Sequence, residues 1–299
     1  MINEALLHCP QIGPARLAKL HQLGIRSWQH IQDRQAELPS GIRDPIVEEA
    51  TRCLSALEAD NIDYFIENLA TKDRWRILSH YLNHVSFFDI ETAGLEFEDP
   101  ITVIACWHKG ELHCFVEHEN LDDFLDLLDD VKLLSSFNGS TFDVPRVLDA
   151  FHIPRLPCPH LDLRWLCYHQ GLRGGLKEIS YRININRPED LKHANGEQAI
   201  RLWARWELFQ DRQAREDLLR YCASDVLLLV VLADNLTGRN TWSPDELWVK
   251  LPGGNLSHSK SVTPQSISTQ SIATQSISTP STFGAGSPSQ LRGRRLRAS

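Results

Sequence analysis

The segment VSFFDIE, Val85 to Glu91, decides the fold of this chain. Its apolar run predicts a buried β-strand, and side chains two positions apart on a strand point to the same face. Asp89 and Glu91 therefore project together. Three more strand-like segments follow, ITVIACWH, ELHCFVEH and KLLSS, and a turn containing Gly110 joins the first two as an antiparallel hairpin. Helical patterns dominate after Phe142, which indicates an α/β or α+β layered domain.

The paired acids on this strand carry an electrostatic penalty. Two like charges about 4 Å apart repel by roughly 4 kcal/mol at an effective dielectric constant near 20. A shared proton, a basic side chain or a divalent cation would offset that repulsion. No Lys or Arg occurs in the dozen residues after Glu91, which favours a metal ion. The alternative is a solvated strand end.

Two further acids and a tyrosine occur at helix positions. Asp143 lies near a predicted helix N-terminus, where Pro145 is tolerated and where an aspartate also serves as a simple cap. Tyr221 and Asp225 are four residues apart in an apolar helix from about 214 to 236, so they share one face. A hydrogen bond from Asp225 to neighbouring backbone is the alternative role for a buried aspartate.

The order of these residues resembles a known family. Asp-Ile-Glu-Thr at 89–92, Asn-Gly-Ser-Thr-Phe-Asp at 138–143 and Tyr-Cys-Ala-Ser-Asp at 221–225 resemble the three motifs of the DnaQ-like, or DEDD, 3′–5′ exonucleases. Tyr221 points to the Tyr-type branch, and the match over about 84–236 looks closest to the YprB-like group of RNase H-like proteins. Ala93 departs from the DIETTGL of many relatives.

The resemblance implies an RNase H-like α/β fold, with a mixed five-stranded sheet flanked by helices. It also implies hydrolysis of terminal phosphodiesters at the 3′ end of single-stranded DNA or RNA. The four acids would hold two Mg²⁺ or Mn²⁺ ions through hard oxygen ligands, and Tyr221 would orient the attacking water. Contacts to the nucleic acid are expected from three other motif residues, Thr92, Asn138 and Phe142.

Three regions are expected along the chain. Residues 84–240 form the exonuclease domain, and residues 1–75 form a small helical domain. Its segment CPQIGPARLAKLHQLGIRSW resembles a helix-hairpin-helix motif, with Gly13, Arg16 and Lys19 placed to contact phosphates and Gln11 replacing the first turn glycine. The alternative is a helical docking domain that binds no nucleic acid. Residues 255–299, rich in Ser, Thr and Gln, are expected to form a disordered tail with a basic end.

Charge and cysteine usage exclude other classes. The net charge is −8, and the first 254 residues contain 26 basic against 39 acidic residues, a net of −13. A protein that coats nucleic acid electrostatically is therefore excluded, and local bases, Arg146, Arg173 and Lys177, would have to guide the strand. The longest apolar run is too short to cross a bilayer, and the N-terminus lacks a secretory signal.

The seven cysteines contain no CxxC pair. Their spacing fits neither a disulfide framework nor a zinc site, and a reducing cytoplasm is the expected compartment. His160 and Asp162 have the spacing of a metal pair, but capping or packing beside the following helix is the favoured role. The predicted function is a metal-dependent 3′–5′ exonuclease that binds nucleic acid and no membrane. The alternative is a catalytically silent nucleic-acid-binding or docking protein with the same fold.

Overall fold

The computed structural model describes residues 1–253, all within one compact unit. The expected disordered tail at 255–299 lies outside the described residues. Within this part of the chain, no helix combines the length and the apolar character needed to cross a membrane.

The part of the chain that precedes the sheet is mostly helical, as predicted for residues 1–75. The helices are α1 (Pro14–Gln22), α2 (Trp28–Asp33), α3 (Ser40–Glu58), α4 (Ile62–Asn68) and α5 (Trp75–Tyr81), with short 3₁₀ turns between them. Trp28 is fully buried, stacks on Phe65 at 5.6 Å and donates from its indole Nε1 to the carbonyl of Ala5 at 2.6 Å. Pro39 is the N-cap of α3, and Gly41 lies in the first turn of that helix.

Five strands form one mixed sheet. They are β1 (Val85–Thr92), β2 (Ile101–His108), β3 (Glu111–Val116), β4 (Leu133–Ser136) and β5 (His160–Asp162), in the spatial order β3-β2-β1-β4-β5. The β2–β3 hairpin and the β1–β2 pair are antiparallel, whereas β4 runs parallel to both β1 and β5. The mixed five-stranded sheet is confirmed. Residue patterns did not locate β5, because three residues are too few to establish a period of two.

Helices cover both faces of this sheet. They are α6 (Asp123–Leu128), α7 (Asp143–Ala150), α8 (Leu163–His169), α9 (Leu176–Arg182), α10 (Gly196–Phe209), α11 (Arg212–Thr237) and α12 (Pro244–Trp248). Phe88 and Ile90 of β1 pack with Phe124 of α6 and Val147 of α7 in one core. Phe87 faces the opposite way, into a larger core shared with α11, as the strand parity predicted.

The long helix α11 fixes the position of the late motif. Asp211 caps its start by accepting hydrogen bonds from the amides of Gln213 and Ala214, and Gly238 ends it in the left-handed conformation, φ 68°. The helix packs along β1 and β2 and against α5, α8 and α10. Its apolar residues join the larger core, which continues into the N-terminal helices. The division into domains at about residue 75 stays a prediction.

Candidate active site

Asp89 and Glu91 lie at the carboxyl end of β1, on the face that α11 covers. A β-bulge interrupts the pairing with β2 between Glu91 and Thr92, where the strand leaves the sheet. Glu91 is buried, and Asp89 is partly buried. Burial raises the pKa of Asp89 to about 7. Burial, together with the charge of Asp89, raises the pKa of Glu91 well above its usual range. The pKa values of Asp89 and Glu91 therefore differ from those of carboxylates exposed to solvent.

Asp143 begins α7 but does not cap it. The cap position is occupied by Phe142, and the carboxylate Oδ1 of Asp143 accepts a hydrogen bond from the amide of Ile90 on β1, at 3.3 Å. Only 3% of the residue is exposed. Burial, followed by the charge of Asp89, raises the pKa of Asp143. Asp143 thus lies in the first turn of α7, as predicted, but its carboxylate makes no capping hydrogen bond and is directed to the strand instead.

Tyr221 and Asp225 are buried on α11, one turn apart. Between them, the thiol of Cys222 donates to the carbonyl oxygen of Asp89 at 3.6 Å, which holds α11 against β1. Donor atoms of Asp89, Glu91 and Cys222 lie within 4.8 Å of one another. The proximity of Cys222 to Asp89 and Glu91 was not predicted, because a cysteine inside an apolar helix is typical of a core residue.

Two cationic side chains enter this group of acids. Arg187, in the loop after α9, forms an ion pair with Asp225, and its guanidinium carbon lies 5.3 Å from the centre of the Tyr221 ring. Lys177 of α9 donates from Nζ to the Tyr221 hydroxyl at 3.1 Å and to the carbonyl of Ala194 at 2.5 Å. Burial, then the nearby Arg187, lowers the pKa of Lys177 to about 8.

These cations correct one step of the sequence argument. The absence of Lys and Arg near Asp89 in the sequence favoured a metal ion as the group that offsets the repulsion between Asp89 and Glu91. In the folded chain Arg187 and Lys177 reach the acids from distant positions, and both charges lower the pKa of Asp89 against the effect of burial. Compensation is incomplete, because the pKa values of Asp89, Glu91 and Asp143 all remain raised. A set of buried carboxylate oxygens with excess negative charge fits Mg²⁺ or Mn²⁺.

The turn before α7 is built for close packing. Asn138 has φ 68°, a left-handed conformation that asparagine tolerates. Its backbone N–H donates to the carboxylate of Asp162 at 2.8 Å. A Cβ atom at Gly139 would lie 1.8 Å from the hydroxyl of Ser136, so only glycine fits. Asp162 also caps α8 by accepting from the amide of Arg164 at 2.9 Å. The structural role favoured for Asp162 is confirmed.

Arg146 does not face the site. It is buried, and its guanidinium donates to backbone carbonyls of the loop that follows β1, including those of Glu96 at 2.7 Å and Asp99 at 3.2 Å. Its predicted role in guiding a strand is wrong, because these carbonyls occupy its donors. Thr92 likewise serves this loop, donating from Oγ1 to the carbonyl of Gly94 at 2.7 Å. Phe142 is 39% exposed and lies under the Arg146 guanidinium at 4.7 Å.

Comparison with known proteins identifies the family. The model of the RNase_H superfamily matches residues 86–237, just over half of the 299 residues. The chain belongs to the RNase H superfamily. This membership agrees with the sheet described above and suggests nuclease activity, and RNase H-like nucleases generally use divalent metal ions.

Among solved structures, the chain is similar to the family B DNA polymerase from the hyperthermophilic archaeon Pyrobaculum calidifontis. The identity is 19%, the TM-score is 0.42, and the match covers 51% of this chain and 24% of the polymerase. The chain thus matches about a quarter of the polymerase's length. No curated protein matches.

An aromatic and basic surface adjoins the site of this RNase H superfamily member. Trp165 and Tyr168 on α8 are 45% and 46% exposed and meet edge to face, with ring centres 6.3 Å apart. The guanidinium of Arg173 lies 4.9 Å from the centre of the Tyr168 ring. Tyr168 and Arg173 border a cavity of about 560 Å³. Its lining is Phe137, Asn138, Arg164, Tyr168, Leu172, Arg173, Gly174, Gly175 and Leu176, and Leu176 directly precedes Lys177.

The residues predicted to bind phosphate in the N-terminal segment are exposed. Gly13 is the N-cap of α1, and Arg16 and Lys19 lie on its exposed side. Gln11 has φ 63°, so a left-handed conformation is present where the motif has glycine. The Arg16 guanidinium donates to the carbonyl of Gln11 at 2.7 Å and lies beside a separate cavity of about 360 Å³.

Proposed function

We propose that this protein is a metal-dependent 3′–5′ exonuclease of the DnaQ-like, Tyr-type branch, in its YprB-like group. Its substrate is the 3′ end of single-stranded DNA or RNA, from which it releases nucleoside monophosphates. The observation that supports this proposal is that three sequence motifs approach one another at the end of β1, where Asp89 and Glu91 lie. The Asp143 carboxylate accepts a hydrogen bond from the amide of Ile90. Arg187, which pairs with Asp225 and lies over the Tyr221 ring, also lowers the pKa of Asp89.

The four acids of these motifs are the proposed ligands of two Mg²⁺ or Mn²⁺ ions. Such ions supply a hydroxide nucleophile at neutral pH and neutralise charge on the leaving oxygen. The chain's own contribution is a largely buried set of oxygen donors. Asp143 is tied to β1 through the amide of Ile90, and Cys222 ties α11 to the backbone of Asp89. Both contacts fix the relative positions of the three elements that carry the acids.

Tyr221 is the proposed water-positioning group. Burial, followed by the charge of Glu91, raises the pKa of its phenol above the usual value, so the hydroxyl keeps its proton. Lys177 donates to the phenol oxygen, which leaves the O–H bond to point elsewhere. A neutral hydroxyl held in this way suits the orientation of a water molecule better than proton abstraction. Lys177 is accordingly a positioning residue.

The aromatic surface of α8 is the proposed path of the strand. Exposed aromatic rings bind single-stranded nucleic acid by stacking on bases without regard to sequence, and nearby guanidinium groups attract the phosphates. Trp165, Tyr168 and Arg173 offer these groups beside the cavity that Asn138 lines. We place Asn138 and Phe142 at the site end of this path. Gly13, Arg16 and Lys19 would add phosphate contacts. The same proposal includes the division into domains at 1–75 and 84–240 and a cytoplasmic location.

The test uses the full chain and end-labelled strands. Single-stranded DNA and RNA with a 5′ label are incubated with Mn²⁺, with Mg²⁺ or with EDTA. We expect a metal-dependent ladder of products shortened by one nucleotide at a time, since a 3′–5′ enzyme leaves the 5′ label on every intermediate. The Asp89→Asn variant should give no ladder. Asp217→Asn is the matched control, because Asp217 is a buried aspartate on the same helix as Asp225 but is bound to Gln213.

One observation favours the catalytically silent alternative. The Arg187 guanidinium pairs with Asp225, one of the four proposed ligands, and so supplies charge that a metal ion would otherwise supply. A silent protein would bind the labelled strands and cut neither of them with any of these metals. Endonucleolytic fragments, or immediate release of the 5′ label, would contradict the proposed direction of cleavage.

A further inference from the structure

A second group of ligand-type side chains lies in the N-terminal helical segment, apart from the motifs of the nuclease. His8 follows the first 3₁₀ turn, and Glu49 and Cys53 are one turn apart on α3. The His8 Nε2 atom lies 3.1 Å from the Cys53 thiol and 3.6 Å from Oε1 of Glu49. The thiol lies 3.8 Å from the same carboxylate oxygen. The side chains of His8 and Glu49 are 3% and 10% exposed, and Cys53 is fully buried.

Hydrogen bonds join these three side chains only in part. The Cys53 thiol is within hydrogen-bonding distance of His8 at 3.1 Å and of Glu49 at 3.8 Å, whereas the 3.6 Å between Nε2 of His8 and Oε1 of Glu49 is long for a hydrogen bond to a carboxylate. The single proton on a neutral imidazole nitrogen serves one acceptor at a time, yet Nε2 of His8 faces both other atoms. The remaining ring nitrogen, Nδ1, is buried and has no hydrogen-bond partner among the described residues.

A common metal ion would also bring these three ligand atoms together. Zinc binds histidine nitrogen and carboxylate oxygen at about 2.0–2.2 Å and cysteine sulfur at about 2.3 Å, usually in tetrahedral geometry. Ligand atoms at the corners of such a tetrahedron are separated by roughly 3.3–3.6 Å. The three observed separations of 3.1, 3.6 and 3.8 Å lie just below, at the upper end of and just above that range. Nitrogen, sulfur and one carboxylate oxygen also form a softer ligand set than the all-carboxylate nuclease site.

Neighbouring side chains hold the carboxylate in place. The Arg52 guanidinium donates to Oε2 of Glu49 at 2.6 Å, which leaves Oε1 facing His8 and Cys53. The Tyr64 hydroxyl donates to that Oε1 at 2.7 Å and lies 3.9 Å from the Cys53 thiol. Hydrogen bonds of this kind to a ligating carboxylate are typical around protein metal ions.

We propose that His8, Glu49 and Cys53 form a structural site for a divalent transition metal of the zinc type. The ion would fasten the N-terminal loop at His8 to α3, beside α4. The proposal amends the sequence argument that cysteine spacing excludes a zinc site. That argument covers ligands close together in sequence, whereas these come from positions 8 and 49–53.

The test is a titration of the metal-free, full-length protein with Co²⁺, which replaces zinc and reports its ligands by absorption. We expect a thiolate-to-cobalt charge-transfer band that saturates at one equivalent and disappears when Zn²⁺ is added. Cys53→Ala should lose the band. Cys222→Ala is the matched control, since its thiol lies beside the carboxylates of the nuclease site, and it should keep the band.

Thermal unfolding gives a second measurement. Zn²⁺ should raise the melting temperature of the wild type and of Cys222→Ala by the same amount, and should raise that of Cys53→Ala by less, because only the acids of the nuclease site remain to bind the ion. No charge-transfer band in the wild-type protein would overturn the proposal, whatever the variants do. A band that survives Cys53→Ala but is lost in Cys222→Ala would also overturn it, by assigning the metal to the nuclease site.

Discussion

The ion pair between Arg187 and Asp225 is the residue-scale feature with the largest expected effect on stability. Both side chains are at least nine-tenths buried. Removing one partner of such a pair typically costs about 3–5 kcal/mol, because the other charge is left unpaired. We therefore expect Arg187→Met to lower the free energy of unfolding by about that amount in EDTA. Urea denaturation followed by circular dichroism measures this change.

The control for Arg187 is an exposed pair. Arg201 and Glu197 on α10 are 69% and 77% exposed at the side chain, and Arg201→Met should change stability by less than about 1 kcal/mol. If Arg187→Met behaves like Arg201→Met, the pair with Asp225 contributes nothing. Because Mn²⁺ would replace the lost positive charge, it should restore more stability to Arg187→Met than to the wild type.

Lys177 offers a residue-scale test of how Tyr221 is held. Lys177→Met removes the donor to the phenol oxygen, and we expect kcat on single strands to fall by about 10–100-fold with little change in KM. Lys192→Met is the control, since Lys192 borders the same cavity as Lys177 and pairs only with exposed Glu189. In a Tyr221→Phe background, Lys177→Met should add less than about twofold. Full additivity would mean that Lys177 acts independently of Tyr221.

The sequence predicted the acids of the site, but it did not predict the cationic side chains that offset their charge. Asp89 and Glu91 were found because strand parity and chain order are local properties of a sequence. Arg187 was missed because an arginine in a polar loop, Asn186 to Pro188, resembles any solvated charge until the fold brings it to α11. Arg146 was misread for the same reason, since its partners are backbone carbonyls that no side-chain pattern reveals.

At the scale of elements, α8 carries the proposed path of the strand. Stacking of a base on an aromatic side chain is worth about 1–3 kcal/mol by alanine substitution. We expect Trp165→Ala or Tyr168→Ala to weaken binding of a single strand by that amount when tested in the uncleaving Asp89→Asn background. Fluorescence anisotropy of a labelled strand measures the dissociation constant.

The matched control for α8 is an exposed aromatic residue on another element. Phe209 at the end of α10 is 76% exposed, and Phe209→Ala should leave the affinity unchanged. Equal losses of affinity in all three variants would indicate non-specific binding rather than a defined path for the strand. A dinucleotide too short to reach α8 should bind the wild type and Trp165→Ala equally.

Elements with a clear period were predicted within a few residues. The strand at 85–91 and the helix at 214–236 are present as β1 and α11, with small changes at their ends. The strand β5 was missed by residue pattern, since only its pairing with β4 defines it. Periodicity therefore finds long elements, while short edge strands depend on partners that are remote in sequence.

At the scale of the whole molecule, the buried acids make stability depend on pH. The folded-state pKa of Asp89, about 7, is well above the value near 4 expected when the chain is unfolded. The folded state thus binds more protons between these values, so this carboxyl destabilises the metal-free protein progressively as pH rises from about 4 to about 7. Glu91 and Asp143 act in the same direction.

This linkage predicts a pH-dependent response to metal. Mn²⁺ binds ionised carboxylates and relieves their repulsion, so the rise in melting temperature that it causes should be larger at pH 8 than at pH 5. Asp89→Asn should raise the melting temperature in EDTA at pH 8 and abolish most of the response to Mn²⁺, whereas Asp217→Asn should keep that response. A Mn²⁺ response that is equal at both pH values would show that the ion binds elsewhere. The four acids would then have a structural role only, and the catalytically silent alternative would gain support.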